Sequence, residues 1–255
     1  ALTNKAKILN MQTKRKAVKS IQSHYDIGND LYKLMLDKRM IYSCGYWKHA
    51  KTLDEAQRAK LDLVCRKIRL KKGDRVLDIG CGWGGFAKFA AQNYKARVVG
   101  ITISKEQAEL AKENCKGLPV EIRIQDYRDL NEKFDHIISI GMFEHVGLKN
   151  YKQFMKIVNL NLKDEGLFLL HTIGSNFAYE GTNPWVDKYI FPQGYLPPPS
   201  QICEAAEKLF VLEDWHSFGQ DYDKTLMAWH SNFEKNWPKL KDKYDERFKR
   251  MWNFY

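Results

Sequence analysis

A short apolar strand that runs directly into glycines is the feature that most constrains this chain. Residues 76–85 read Val-Leu-Asp-Ile-Gly-Cys-Gly-Trp-Gly-Gly. Glycine has no Cβ atom and tolerates positive φ, so a ligand can lie against the backbone at Gly80, Gly82, Gly84 and Gly85. The pattern predicts a nucleoside-bearing cofactor at the end of a first parallel strand. The alternative is a tight strand-to-helix turn that holds no ligand.

The position of the acid separates two classes of cofactor. A nicotinamide fingerprint has G-x-G-x-x-G and an acid about 20 residues later, at the end of the second strand. Here the spacing is G-x-G-x-G-G, Asp78 precedes the glycines, and the second strand ends in Gly-Ile-Thr-Ile-Ser. The loop is therefore similar to the S-adenosylmethionine loop of a Rossmann-like methyltransferase.

Strand and helix signals alternate through the middle of the chain. We predict strands at 75–79, 96–102, 120–125, 135–141 and 166–173, and helices at 84–93, 104–116 and 149–162. Such alternation is typical of parallel strands joined by crossover helices. The predicted fold class is α/β: a Rossmann-like, mostly parallel sheet flanked by helices, with ligands beyond the carboxyl ends of the strands.

Segments outside this core are predicted from helix, turn and proline signals. Residues 4–36 are expected to be mainly helical, and Thr52-Leu-Asp-Glu55 is a capping box for a helix that ends near Leu70. Residues 174–200 are rich in proline and aromatic residues, which favours an irregular substrate lid. A stiff surface excursion with its own small core is the alternative. The elements expected after it are a helix at 200–209, a strand at 210–218 and one helix at 222–251.

Charge and cysteine usage narrow the choice of partner and compartment. The net charge is +11, with basic clusters before Asp26 and between Lys235 and Arg250. Such clusters indicate an anionic partner, either nucleic acid or a lipid surface, unless they are only solvated helix faces. The five cysteines are widely spaced and form no C-x-x-C motif, which favours a reducing compartment. No apolar run approaches the length of a bilayer span, and no segment resembles a signal peptide.

The end of the chain carries a further expectation. A methyltransferase sheet of this type usually closes with an antiparallel hairpin, and residues 210–218 supply only one arm before Tyr255. We therefore expect the natural protein to continue past Tyr255, and the sequence to be incomplete at both ends.

Several motifs, read together with the glycine loop, make a resemblance specific. They are His24-Tyr-Asp-Ile-Gly-Asn-Asp-Leu-Tyr32, Tyr42-Ser-Cys-Gly-Tyr-Trp47, Gly100-Ile-Thr-Ile-Ser104 with Gln107, Gln125-Asp-Tyr-Arg-Asp129, Ser139-Ile-Gly-Met-Phe-Glu-His-Val-Gly147, His171-Thr-Ile-Gly174 and Asp221-Tyr-Asp-Lys-Thr-Leu-Met-Ala-Trp229. From about Leu9 to Tyr255 the chain closely resembles the cyclopropane fatty acid synthase family, relatives of the mycolic acid cyclopropane synthases.

The resemblance implies a reaction and a setting. S-adenosylmethionine would donate a methylene carbon across a cis double bond of an unsaturated phospholipid acyl chain, leaving a cyclopropane ring and S-adenosylhomocysteine. Residues 23–255 would be the catalytic domain, with a lid at 174–200. Residues 1–22 would be a linker or N-terminal helix left from a missing lipid-binding domain. A cytoplasmic protein, peripheral at the anionic inner membrane surface, and a homodimer are implied too, and no nucleic-acid partner is expected.

The chemistry requires a base and a surface that tolerates a carbocation. By resemblance, a bicarbonate ion is the base, and its ligands are Cys44, Glu144, His171, Ile173 and Tyr222. Cys44 and Ile173 would contribute backbone groups, His171 and Tyr222 would donate hydrogen bonds, and Glu144 would orient the ion. Taken singly, each of these side chains is more typical of a structural role. Aromatic faces such as Tyr46, Trp47 and Phe143 could stabilise the cation or simply pack in the core.

The cofactor residues implied by the same matching come from the ends of the first four predicted strands and from the segment before the sheet. They are Tyr25, Tyr42, Ser43, Asp78, Gly80, Gly82, Thr102, Gln107, Tyr127, Arg128 and Gly141. Tyr127 could stack near the adenine or be a half-buried strand-end aromatic. Gln107 has a rival role, because Ser104-Lys-Glu-Gln107 is also a capping box.

Three other functions stay open at this point. A related methyltransferase could act on another lipid or a small amine and stop at methyl transfer. The charge also prompts a nucleic-acid methyltransferase, although the chain has no Asn-Pro-Pro-Tyr base pocket. The third is an interaction module that holds the cofactor without turnover.

Overall fold

The structure is a computed structural model that describes residue 12 and residues 28–178 and 183–255. The predicted linker at 1–22, apart from Gln12, lies outside the described residues, as do Tyr25 and the predicted helical stretch up to residue 27. The five strands of the described part are β1 (Arg75–Ile79), β2 (Arg97–Thr102), β3 (Val120–Ile124), β4 (Phe134–Ile140) and β5 (Leu162–His171).

The described ranges contain nine α-helices. They are α1 (Asn29–Met35), α2 (Leu53–Lys67), α3 (Gly85–Tyr94), α4 (Lys105–Asn114), α5 (Tyr151–Asn161), α6 (Pro184–Tyr189), α7 (Pro199–Ala206), α8 (Asp221–Asn236) and α9 (Glu246–Phe254). Helix α2 begins with the predicted capping box, in which the Thr52 hydroxyl accepts from the Glu55 amide. Its end at Lys67 lies three residues before the predicted one.

The strands pair in the order β3-β2-β1-β4-β5, and every pair is parallel. Since β1 has β2 on one side and β4 on the other, the order reverses at β1, which is where parallel α/β sheets bind ligands. The predicted α/β class and its parallel sheet are therefore confirmed.

Two buried layers cover the faces of the sheet. One contains Leu77, Ile137 and Phe154, and the other contains Val76 and Ile138, so consecutive residues of β1 and β4 face opposite sides. Because both faces are covered, these strands read as continuous apolar runs in the sequence. A third buried cluster joins α1 to α8 and α9, and its rings include Tyr32, Trp229 and Trp252.

The predicted strand at 210–218 is wrong. Residues 210–218 form no strand, because no neighbouring strand supplies the hydrogen bonds that a strand needs. Its side chains instead form ion pairs at the end of α2, where Asp214 pairs with Lys67, the last residue of the helix, and Glu213 pairs with Arg69 just beyond it.

The predicted single helix at 222–251 is also wrong. Helix α8 ends at Asn236, a 3-10 turn covers Trp237–Lys239, and α9 begins after Asp245, whose carboxylate accepts from the Phe248 amide. Pro238 lacks the amide that would continue α8, so the chain turns there.

The irregular structure predicted for 174–200 is interrupted by helix. Helix α6 begins after Asn183, whose side chain accepts from the amides of Trp185 and Val186, and Pro184 occupies its first turn. Pro199 likewise opens α7. Proline favours the first turn of a helix because no donor is needed there, so these prolines start helices as well as break them.

The helices in the described ranges include none that is both long enough and apolar enough to cross a bilayer.

The junction between the glycine loop and the preceding segment leaves no room for a side chain at Gly85. A Cβ atom built there would lie 2.3 Å from Ile41 Cδ1 and 2.6 Å from the Arg39 carbonyl oxygen. We expect Gly85→Ala to lower the free energy of unfolding by about 1–3 kcal/mol, because backbone must move to relieve the clash.

Urea unfolding of the ligand-free protein measures the effect of Gly85→Ala. The matched control is Gly219→Ala, since a Cβ atom at Gly219 has nothing within 4 Å and needs no positive φ. Equal stabilities for the two variants would contradict the packing described.

Candidate active site

A cavity opens at the carboxyl ends of β1, β2 and β4. Its wall includes the ends of all three strands, the segment before α2 and the turn after β3. Ten of the predicted cofactor residues lie on this wall, namely Tyr42, Ser43, Asp78, Gly80, Gly82, Thr102, Gln107, Tyr127, Arg128 and Gly141. The eleventh, Tyr25, lies outside the described residues. That these residues bind a cofactor stays a prediction.

The glycines after β1 shape one side of this cavity. Gly80 has a φ of 82°, and a Cβ atom there would lie 2.7 Å from the Met142 side chain. Gly82 has a φ of 54°, and a Cβ atom there would find no other atom within 4 Å. Backbone at Gly82 therefore faces open space on the cavity wall, where a ligand could approach it closely.

At the end of β2, the backbone of Gln107 takes part in the helix cap, whereas its side chain lies at the cavity. The Ser104 hydroxyl accepts from the Gln107 amide at 3.3 Å and so caps α4. The Gln107 side chain does not return to the cap, because its Oε1 accepts from the Thr102 hydroxyl at 2.9 Å. Both side chains are buried at the cavity wall, and the contact sets their orientation there.

The turn after β3 supplies an aromatic ring and a guanidinium. Tyr127 is buried, packs edge-on against Phe154, and carries the Arg128 guanidinium 5.0 Å above its ring. The Arg128 amide donates to Asp126 Oδ1 at 2.9 Å, which fixes this turn.

A buried acid, Asp78, and a buried ammonium group, that of Lys60, face the cavity, and sequence reasoning missed Lys60. Burial raises the pKa of Asp78 to about 7, and the nearby Lys60 partly opposes this shift. Lys60 is 1% exposed, and its Nζ donates to the Ser43 hydroxyl at 2.7 Å. Its spacing from the buried Gln57, Leu61 and Val64 places it on the inward face of α2, a signal present in the sequence.

The loop at 42–47 is held by two helices. From α2, the Gln57 amide donates to the Ser43 carbonyl at 2.8 Å. From α8, the Thr225 hydroxyl accepts from the Gly45 amide at 3.0 Å and from the Trp47 indole at 2.9 Å. Since the loop has no regular structure, these bonds determine where Ser43 and Cys44 lie.

Glu144 and Ile173 meet directly at the end of β5. The Ile173 amide donates to Glu144 Oε1 at 2.8 Å, and Glu144 Oε2 is buried with no hydrogen-bond partner among the described residues. Burial raises the pKa of Glu144, and the Ile173 amide opposes the shift. The predicted backbone group of Ile173 is thus engaged by Glu144 in this structure.

His171 lies two residues before Ile173, is half-buried, and contacts one aromatic ring, that of Phe218. Its ring stacks on Phe218 at 5.5 Å, and Phe218 in turn contacts Tyr46 and His216. His171 Nδ1 is buried, and no described residue hydrogen-bonds to it. Burial lowers the pKa of His171 to about 3, so the ring is neutral. Phe218 and His216 belong to the segment that was predicted to be a strand, so their part in this cluster was missed.

The remaining predicted catalytic residues, Cys44 and Tyr222, have no direct contact recorded with Glu144 or His171 in the described part of the chain, and their role stays a prediction. Cys44 is buried, and its thiol donates to the neighbouring Gly45 carbonyl rather than to Glu144. Tyr222 lies on α8, three residues before the Thr225 hydroxyl that holds Gly45. Phe143 is fully buried and stacks on Tyr151 at 4.1 Å, which is core packing.

Comparison with solved structures identifies the class of fold. The "cyclopropane synthase MmaA2" of Mycobacterium tuberculosis superposes with a TM-score of 0.87 and 29% identity, over 92% of this chain and 90% of that one. "Mycolic acid cyclopropane synthase CmaA1 complexed with SAH and CTAB" gives 0.86 and 31%, over the same shares. The chain therefore has the Rossmann-like fold of the S-adenosylmethionine-dependent methyltransferases.

Sequence comparison then identifies the family. The model of the mycolic acid cyclopropane synthetase family matches residues 12–255, and the chain belongs to this family. The cyclopropane-fatty-acyl-phospholipid synthase of Escherichia coli K12 is 56% identical over 250 residues, or 98% of this chain. The chain spans 65% of the length of that relative.

The two hydrogen bonds by which Thr225 holds the 42–47 loop can be tested by an isosteric substitution. Thr225→Val leaves the Gly45 amide and the Trp47 indole without their acceptor, so we expect the free energy of unfolding to fall by about 1–3 kcal/mol. Thr225→Ser keeps the acceptor and is the matched control. Urea unfolding of both variants is the measurement, and a valine variant at least as stable as the serine variant would contradict this role.

The buried Asp78 predicts a dependence of stability on pH. The folded chain keeps the Asp78 proton up to about pH 7, whereas the unfolded chain releases it near 3.8. The contribution of Asp78 to the free energy of unfolding is fully present below about pH 3.8 and is lost as the pH rises through about 7. Relative to Asp78→Asn, the wild type should lose up to about 1.4 kcal/mol of unfolding free energy per pH unit in that window.

Chemical unfolding of the ligand-free protein at several pH values measures this slope. Exposed Asp242→Asn is the control and should keep the wild-type slope. Parallel curves for wild type and Asp78→Asn would show that Asp78 titrates alike in both states.

Proposed function

We propose that this chain carries a catalytic domain that builds cyclopropane rings on unsaturated phospholipid acyl chains with S-adenosylmethionine as methylene donor. The observation that carries the proposal is that Glu144 and His171 each have a buried polar atom without a partner and adjoin residues of the cavity wall, Glu144 in the chain between Met142 and His145, and His171 as the strand partner of Ile140. Membership of the family and the bound SAH in the related CmaA1 structure support the same activity.

The cavity fits the donor on its own features. Open space in front of Gly82 admits a ligand against bare backbone, and Asp78 offers an acid to an ammonium group. Thr102, Gln107, Tyr127 and Arg128 would hold the nucleoside end, and Tyr42, Ser43 and Gly141 the amino-acid end. Bound there, S-adenosylmethionine supplies an electrophilic methyl carbon. An alkene carbon would bond to that methyl carbon as its bond to sulfur breaks and S-adenosylhomocysteine leaves, and loss of a proton from the transferred methyl group to a base would close the ring.

The surroundings of Glu144 and His171 fit a small oxyanion that accepts this proton. Glu144 Oε2 and His171 Nδ1 are buried, and neither has a partner among the described residues, which is costly unless a further polar group fills the gap. Because its pKa is raised, Glu144 can share a proton with a weak acid such as bicarbonate. We propose that Glu144, His171 and Tyr222 hold bicarbonate, with backbone from Cys44 and Ile173.

The rings around His171 suit the cationic stage of the reaction. Tyr46, His216 and Phe218 form a cluster in which each ring contacts another within 5.6 Å. Aromatic faces stabilise a carbocation without trapping it covalently. Tyr46 and Phe218 are half-buried, and His216 is exposed. We assign this role to Tyr46 and Phe218 rather than to Phe143, which lies in the core.

Substrate, location and assembly extend the proposal. We propose that the acyl chain is presented by an anionic membrane surface, where each nearby basic residue contributes about 1 kcal/mol. Part of the C-terminal basic cluster is paired internally, since Lys243 binds Asp30 and Lys249 binds Glu234. Lys239, Lys241 and Arg250 are exposed and suit such a surface. A cytoplasmic protein, peripheral at the inner membrane and dimeric, with no nucleic-acid partner, completes the proposal.

The proton-transfer role of Glu144 can be tested by Glu144→Gln. We expect transfer of the labelled methyl carbon from S-adenosylmethionine into extracted lipid to fall by about 10²–10⁴-fold, because the amide cannot share the proton of bicarbonate. S-adenosylhomocysteine binding, measured by calorimetry, should stay within about twofold of wild type, because Glu144 is absent from the cavity wall. Exposed Glu165→Gln is the matched control.

Bicarbonate itself gives the second arm of this test. Turnover of the wild type should fall in bicarbonate-depleted buffer and recover on addition, and added bicarbonate should not rescue Glu144→Gln. A glutamine variant with wild-type turnover would rule out this role for Glu144.

A further inference from the structure

Lys60 is a buried cation that the site described so far does not use. Its side chain is 1% exposed, and it lies on the cavity wall. An ammonium group has three hydrogen-bond donors. Among the described residues, the Ser43 hydroxyl is the acceptor for one of the Lys60 donors. Within the described ranges, no carboxylate pairs with Lys60 at ion-pair distance.

A buried charge without a counter-ion is expensive, so an anion is expected next to it. Two buried carboxylates act on Lys60 through space, those of Asp37 and Asp78. Asp37 is committed elsewhere, since it accepts from the Ile41 amide at 2.8 Å and pairs with Arg39. Asp78 lies on the same cavity wall as Lys60 but forms no ion pair with it.

The cavity therefore presents one acid and one ammonium group that do not neutralise each other by contact. A ligand that carries both charges on neighbouring atoms, as a free α-amino acid does, matches this pair. We propose that Lys60 receives the carboxylate at the amino-acid end of S-adenosylmethionine while Asp78 faces its ammonium group. This assignment rests on the proposed function, and it makes Lys60 a residue that selects ligands carrying the amino acid.

Bicarbonate is a second carboxylate-like anion within electrostatic reach. The charge of Lys60 acts on Cys44 and on His171, two of its proposed ligands. However, Lys60, Ser43 and Asp78 line the cofactor cavity, whereas Cys44 and His171 do not. The geometry thus favours the cofactor carboxylate over bicarbonate.

Calorimetry with two thioethers tests the assignment. S-adenosylhomocysteine carries the amino acid, and 5′-methylthioadenosine has the same adenosine and sulfur without it. Hydrogen bonds to charged groups are stronger than those between neutral groups, so we expect Lys60→Met to weaken S-adenosylhomocysteine binding about 10- to 100-fold. Binding of 5′-methylthioadenosine should change by less than about twofold.

Further variants separate charge from folding. Lys60→Gln keeps a donor for the Ser43 hydroxyl and removes the charge, so it gives the same test if the methionine variant unfolds. Lys72→Met removes an exposed lysine outside the cavity and should bind both thioethers as wild type does.

The outcomes are distinct. Loss confined to S-adenosylhomocysteine supports the assignment. Unchanged binding of both thioethers, or an equal loss of both, overturns it. The assignment is also overturned if S-adenosylhomocysteine binding is unchanged while turnover of the Lys60 variant requires more bicarbonate. Lys60 would then act on bicarbonate instead of on the cofactor carboxylate. A wild type that binds neither thioether overturns the proposed function itself.

Discussion

Parallel pairing of β1 with β4 is the constraint on which the rest of this structure depends. It brings Gly80 and Gly141, which follow the two strands, to one edge of the sheet, where both have positive φ and border the same cavity. The strand order reverses at β1, so the connections that follow β1 and β4 run in opposite directions away from this edge. A crevice for a ligand is left between them. Glu144, three residues beyond Gly141, is thereby placed beside the end of β5.

Buried polar groups give this edge its hydrogen bonds and its shifted pKa values. Helix α2 contributes Gln57 and Lys60, and α8 contributes Thr225, and together they hold a loop that has no regular structure of its own. Each of these side chains is at most 1% exposed, so their hydrogen bonds act in a medium of low dielectric constant and are costly to lose. The same burial raises the pKa of Asp78 and Glu144 and lowers that of His171. Close packing at this edge is therefore also the cause of the shifted pKa values.

Short sequence patterns predicted the elements whose structure depends mainly on neighbouring residues. The Thr52 capping box, the five parallel strands and the glycine turn all follow from neighbouring residues. Tertiary context decided the rest. Residues 210–218 were predicted as a strand but lack a partner strand. The spacing of α2 places Lys60 on its inward face, and the packing of that face determines how deeply the side chain is buried. The aromatic contacts of Phe218 with His171 depend on where that unpaired segment lies.

The most direct test of the central claim is the fate of the transferred carbon. The chain would be incubated with S-adenosylmethionine labelled with ¹³C at its methyl group and with vesicles of unsaturated phospholipid, and the extracted lipid would be studied by NMR. The account predicts label in an upfield cyclopropane methylene together with loss of the olefinic signals. Label in a methyl group, on carbon or on nitrogen, with the olefinic signals retained, would contradict it.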